Sequence, residues 1–167
     1  VGYVDAFSQR EYALVGSDGI VIVDVTFPEQ PFIVSHVPNV PSFDIRTWKN
    51  FAYSVTGGPG ASGKIVNLIE TDRPSVVGSF PSSHNITITP SGFLIAEFPG
   101  LKIYDLKPDP IQPVLIYELA TGQGHDATVV GNRLFDFHGR GGTNIFDFSQ
   151  PEAPSLLGSI IDPRISY

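Results

Sequence analysis

A passage that the chain contains four times constrains its fold more than any other feature. The copies are GIVIVDVTFPEQPFIVSHVP (19–38), GKIVNLIETDRPSVVGSFP (63–81), GLKIYDLKPDPIQPVLIYEL (100–119) and GTNIFDFSQPEAPSLLGSI (142–160). Each has a Gly, a short apolar run, an Asp or Asn, a few polar residues, a Pro and a second apolar run. Anchoring on Asp24, Asn67, Asp105 and Asp147 gives steps of 43, 38 and 42 residues. Pro31, Pro74, Pro113 and Pro154 keep the same pace. A period of about 40 residues with strand-like content marks the blades of a β-propeller.

Upstream of each copy lies another pair of short runs: 2–18, 42–58, 83–100 and 124–142. Each pair turns through polar or Gly residues, at Ser8–Arg10, Lys49-Asn50, Pro90–Gly92 and Gly131-Asn132. These suit tight hairpins. Every repeat therefore holds four short strands, the content of one antiparallel blade. The expected fold is all-β: four four-stranded blades, read as a slice or half of a larger ring. The blades fall over about 1–39, 40–81, 82–120 and 121–161, with 162–167 as the start of a further inner strand. Runs such as Ile20–Val23, Ile103-Tyr104 and Ile145-Phe146 are expected between blades, buried on both faces. The Asp or Asn that ends each third strand is expected to cap the next turn by accepting backbone N–H bonds. Trp48 and the 12 Phe are read as core and blade-interface residues.

Composition narrows the function. The chain has 167 residues, 17 of them Gly and 15 Pro, and a net charge of −7. That acidity argues against a nucleic-acid partner, which needs a basic stripe. No cysteine is present, so disulfides, thiolate metal sites and cysteine nucleophiles are excluded. No membrane-spanning run is visible. The chain begins at Val1 and contains no Met, as a processed or truncated product would.

The YALVGSDGIVIVDVT string (12–26) resembles the LVIVD-repeat propellers, and SHNITIT (83–89) and GHDATVV (124–130) are similar to inner strands of choice-of-anchor B proteins. The resemblance covers all four repeats. It implies an extracellular or surface-anchored bacterial or archaeal propeller, of a family mostly without assigned activity.

The candidate site comes from the starts of the innermost strands. Alignment places Asp5, Asp44, Asn85 and Asp126 at one equivalent position, with His84 and His125 just before the last two. Such strand starts face one mouth of a propeller's central channel. A ring of Asp5, Asp44, His84, His125 and Asp126 suits a divalent cation, calcium through oxygen ligands or zinc through His and Asp. The structural alternative is that these side chains bond to backbone groups of the next blade. Consecutive strand residues point to opposite faces, so His84 and Asn85 do not both enter the channel without a bulge.

Other motifs carry less. His138 and Arg140 lie in FHGRGG, either an anion-binding nest or a plain blade turn. GPGASGKI (58–65) approaches a phosphate-binding loop, but Ile65 stands where Ser or Thr would hold magnesium, and a strand is expected to follow. Asn85-Ile86-Thr87 is a glycosylation sequon on an expected core strand, where a glycan does not fit. His36 is expected on the surface of an outermost strand. No GxSxG occurs.

The leading functional expectation is a non-catalytic extracellular or cell-surface scaffold acting through blade loops and the channel mouth. Its partner would be a protein, a surface, or further blades of the same or another chain. The alternative is an enzyme using a divalent cation at the Asp/His ring.

Overall fold

The computed structural model describes residues 1–58, 60–120, 122 and 124–161. These form sixteen strands in four antiparallel sheets, each in simple up-and-down order. The first sheet holds β1 (Gly2–Val4), β2 (Glu11–Gly16), β3 (Gly19–Asp24) and β4 (Phe32–Pro38). The second holds β5 (Asp44–Trp48), β6 (Phe51–Val55), β7 (Ser62–Asn67) and β8 (Ser75–Pro81). The third holds β9 (Asn85–Ile88), β10 (Phe93–Glu97), β11 (Leu101–Asp105) and β12 (Val114–Leu119). The fourth holds β13 (Asp126–Val130), β14 (Arg133–Phe137), β15 (Thr143–Asp147) and β16 (Ser155–Ile160). The only helical turn among the described residues is a 3-10 turn over Gly139–Gly141. The chain is a partial β-propeller. The further inner strand expected over 162–167 lies outside the described residues.

Ladder registers make the sheets copies of one another. Tyr12 faces Asp24, Phe51 faces Asn67, Phe93 faces Asp105 and Arg133 faces Asp147. In all four sheets the third and fourth strands slip register at the same place, after Ile22, Ile65, Ile103 and Ile145. The slip leaves Val34, Val77, Ile116 and Leu157 without a ladder partner. A bulge at this point sharpens the twist of the outer pair.

The anchoring Asp and Asn residues do what their position demands. Asp24 accepts a bond from Thr26 N, Asn67 from Ile69 N, Asp105 from Lys107 N and Asp147 from Ser149 N, each at 2.9–3.0 Å. Each bond closes the turn that leaves the third strand. The repeated prolines stand immediately before the fourth strands, where the missing N–H leaves no gap in the ladder.

Three apolar layers lie between the four blades. Leu14, Ile20 and Ile22 of the first blade pack with Ile45, Ala52 and Val66 of the second. Tyr53, Val55 and Ile65 pack with Ile86, Leu94 and Tyr104 of the third. Ile95, Leu101 and Ile103 then pack with Ala127, Leu134 and Phe146 of the fourth. A fully buried aliphatic or aromatic side chain contributes about 1.5–3 kcal/mol, so these layers dominate stability.

Two expectations need correction. Burial of the third strands on both faces holds at Ile65-Val66 and Ile103-Tyr104, but Val21, Val23 and Ile145 are only half-buried. The reason is position: the first and fourth blades each have a neighbour on one face only among the described residues. The Phe residues also divide. Phe80, Phe146 and Phe148 are buried, whereas Phe7, Phe27, Phe32 and Phe43 are exposed and Trp48 is half-buried.

Candidate functional site

In the second, third and fourth blades the first strand lies innermost: β5 packs beside β9, and β9 beside β13. Asp44, Asn85 and Asp126 open these three strands. Their ladder partners Val55, Glu97 and Phe137 end the second strands, so all three stand at one level of the propeller.

Asp5 does not belong to this group. It follows β1 at the opposite strand end, and its carboxylate accepts bonds from Phe7 N at 3.0 Å and Ser8 N at 3.2 Å. The pairing of Tyr3 with Tyr12 puts Val1 level with Arg46, so the alignment of Asp5 with Asp44 was displaced along the strand. Polar turn residues after β1 imitate the strand-start pattern, which is how the displacement arose. The Ser8 hydroxyl, followed by the Phe7 N–H, holds the Asp5 carboxyl below its ordinary value.

At the shared level the side chains are committed in different ways. Asp44 accepts bonds from Ile45 N, from the Arg46 guanidinium and, across the blade boundary, from Ile86 N at 3.1 Å. Burial is the main influence on its carboxyl and raises it above the ordinary value. Asn85 Oδ1 accepts from Ile86 N at 2.7 Å, and Asp126 Oδ1 from Ala127 N at 2.8 Å. The bond to the neighbouring blade's backbone is therefore realised at Asp44.

The imidazoles come together. His84 Nε2 lies 3.2 Å from His125 Nε2, and His84 Nδ1 lies 2.7 Å from the Gly57 carbonyl oxygen. Phe43, exposed on the second blade, also meets His84, its ring tilted by 50° with centroids 5.0 Å apart. Gly57 makes room for this arrangement, since a Cβ there would lie 2.7 Å from the Phe43 ring. Phe43, His84 and His125 thus form a run of neighbouring rings across the inner strand starts of three blades. Among the described residues, no three His, Asp or Glu side chains are gathered so as to hold a metal ion.

Two buried acids beside these rings were not anticipated. Glu97 ends β10 and is 1% exposed; Asp136 lies on β14 and is also 1% exposed. Neither Glu97 oxygen has a hydrogen-bond partner, nor does Asp136 Oδ1. Burial, then the neighbouring Asp136 and Asp126 charges, pushes the Glu97 carboxyl up to about 10. The one signal in the sequence was positional. Glu97 occupies the ladder level of Gly16, Val55 and Phe137, and Asp136 that of Val15, Ser54 and Ala96.

His138 supports Asp136 rather than an anion nest. Its Nε2 lies 2.7 Å from Asp136 Oδ2, and Asn144 Nδ2 lies 3.4 Å from the same oxygen. Ser159 donates to Asn144 Oδ1 at 2.7 Å, extending the array to the outer strand. Arg140 is exposed on the 3-10 turn. Lys64, the lysine of the near phosphate-binding motif, lies within β7, so a strand and not a helix follows that loop. His36 on β4 pairs with Asp18 at 3.0 Å. No helix among the described residues is long and apolar enough to cross a membrane.

No family model matches the chain, and no curated protein does. Solved structures do. The chain is similar to a periplasmic gluconolactonase of Pseudomonas aeruginosa at 13% identity and a TM-score of 0.68, covering 95% of this chain and 53% of that one. It is similar to a protein of Bacteroides uniformis described as a 6-phosphogluconolactonase, at 14% identity and a TM-score of 0.70, with 96% and 54% covered. A surface component of the type-IX secretion system of Porphyromonas gingivalis matches at 15% identity and a TM-score of 0.57, with 98% and 22% covered. These likenesses establish the propeller fold. The chain spans about half the length of the first two structures.

Proposed function

We propose that this chain is part of a non-catalytic extracellular or cell-surface propeller of the LVIVD-repeat, choice-of-anchor B type, which binds its partner at the channel mouth. The observation that carries the reading is the run of rings of Phe43, His84 and His125. It gathers one exposed aromatic and two half-exposed imidazoles from three blades. Aromatic and imidazole rings offer large contact area with polar tips, a composition suited to recognition. A propeller fold does not select a chemistry, so likeness to two gluconolactonase-type structures gives no activity to this chain. An extracellular setting agrees with the periplasmic and surface descriptions of two of those structures.

The competing reading is a metal-dependent activity at the same mouth. His84 and His125 would supply nitrogen ligands, with Asp44 and Asp126 nearby; Asp5 is too far along the strand to join them. The experiment is capture of surface-exposed proteins and polysaccharides from the source organism by the full-length protein, before and after chelation, with Phe43→Ala and His84→Ala beside it. Capture that survives chelation and falls in both variants is the expected result. Capture that chelation abolishes would transfer the mouth to the metal-dependent reading, and capture indifferent to both variants would remove the mouth from the function.

A further inference from the structure

We propose that Glu97 and Asp136 form an interior binding site for a divalent, oxygen-seeking cation of the calcium class between the third and fourth blades. Three carboxylate oxygens meet there without partners: both of Glu97 and Oδ1 of Asp136. Glu97 Oε2 and Asp136 Oδ1 both border Gly124. A Cβ on Gly124 would lie 1.8 Å from Glu97 Oε2 and 3.4 Å from Asp136 Oδ1. The Glu97 carboxylate fills the place a side chain at 124 would need, so only a glycine fits there, and Gly124 is itself buried.

Charge points the same way. Asp126 adds a third carboxylate to the field felt by Glu97. Among the described residues, no Lys or Arg pairs with Glu97, Asp126 or Asp136, and the only ion-pair partner of the three is His138 on Asp136. An unpaired carboxylate in a dry interior carries a desolvation penalty of several kcal/mol. Either a proton or a cation must relieve it. A proton shared between the two acids would satisfy two of the three oxygens and leave one orphaned. A divalent cation takes all three, with its remaining positions filled by water or carbonyl oxygens, as calcium sites ordinarily are.

The supporting array also suits a cation. His138 and Asn144 hold Asp136 Oδ2, leaving Oδ1 directed inward. Outer partners of this kind fix a ligating carboxylate in place. The site lies directly behind the mouth and Asp126 adjoins both, but the inference does not depend on the binding reading above.

The test strips the full-length protein with chelator and titrates it with calcium chloride, read by calorimetry and by thermal unfolding. One ion per chain and a saturable rise in Tm are expected. In Glu97→Gln and in Asp136→Asn the affinity should fall at least about tenfold, while His36→Ala, remote on β4, should bind as before. No heat and no movement of Tm up to millimolar calcium would overturn the site. So would binding that Glu97→Gln leaves intact, or binding lost in His84→Ala alone, which would move the ion to the mouth. Glu97→Gln preserves side-chain shape, and its circular dichroism spectrum checks folding. If it fails to fold, Asp136→Asn decides the matter by the same criteria.

Discussion

His84 Nε2 and His125 Nε2, 41 residues apart in sequence, meet at 3.2 Å and tie the inner edge of the third blade to that of the fourth. One nitrogen donates and the other accepts, so the contact is directional as well as apolar. A double-mutant cycle of His84→Ala and His125→Ala, read by denaturant unfolding, should give a coupling of about 0.5–1.5 kcal/mol. Additive losses would show that the two rings are neighbours without a bond.

The interface between the second and third blades is held by close backbone approach. A Cβ on Gly78 would lie 2.6 Å from the Ile111 carbonyl oxygen, so Gly78→Ala forces two blades apart. The expected loss is about 1–3 kcal/mol, measured by thermal unfolding. At the same interface the Tyr53 hydroxyl donates to the Pro110 carbonyl at 2.9 Å. Tyr53→Phe leaves the packing and removes the bond, and should cost about 1 kcal/mol.

Turn closure predicts an acid limb to the stability curve. The Thr26 N–H is the main cause holding the Asp24 carboxyl below its ordinary 3.8, and the Ser149 N–H does the same for Asp147. A lowered folded value means that the contribution is complete above 3.8 and disappears as pH falls through the folded value. Asp24→Asn and Asp147→Asn should flatten the dependence of Tm on pH below about 4 while keeping the turns, because Asn67 already closes one. Asp24→Ala should lower Tm at neutral pH as well. An unchanged acid limb in the Asn variants would assign acid sensitivity to other carboxylates.

Among the described residues the apolar layers join each blade to its neighbours in the chain, so stability should be graded along the array. Amides of Ile65 and Ile103, 0% exposed in the middle blades, should exchange with deuterium more slowly than those of β16, whose residues are all exposed. Equal protection throughout would mean that the four blades unfold as one unit.

The architecture was legible because spacing carries it. Asp24, Asn67, Asp105 and Asp147 are separated by one blade each, and each side chain closes its own turn, so residue type and period agree on the strand end. The bulge at Ile22, Ile65, Ile103 and Ile145 was not visible, since the skipped residues are ordinary Val, Ile and Leu and a strand shows only alternation. The mouth was half legible. His84, His125, Asp44 and Asp126 lie where hairpin reasoning put them, but Asp5 was shifted because a polar turn copies the look of a strand start. Glu97 and Asp136 escaped notice because single acids inside apolar runs have no spacing of their own. Only the ladder, by showing Gly16, Val55 and Phe137 at the level of Glu97, reveals that a carboxyl there is an exception.

That exception bears on how such chains diverge. One rung of a repeated scaffold tolerates hydrogen, an isopropyl group, a carboxylate and a phenyl ring, while the same hairpins and bulges persist around it. Duplication supplies four drafts of a site, and substitution can edit one without disturbing the others. A propeller of this kind can acquire new ligand chemistry through single-codon changes at an inner rung, with its folding instructions left in the turns.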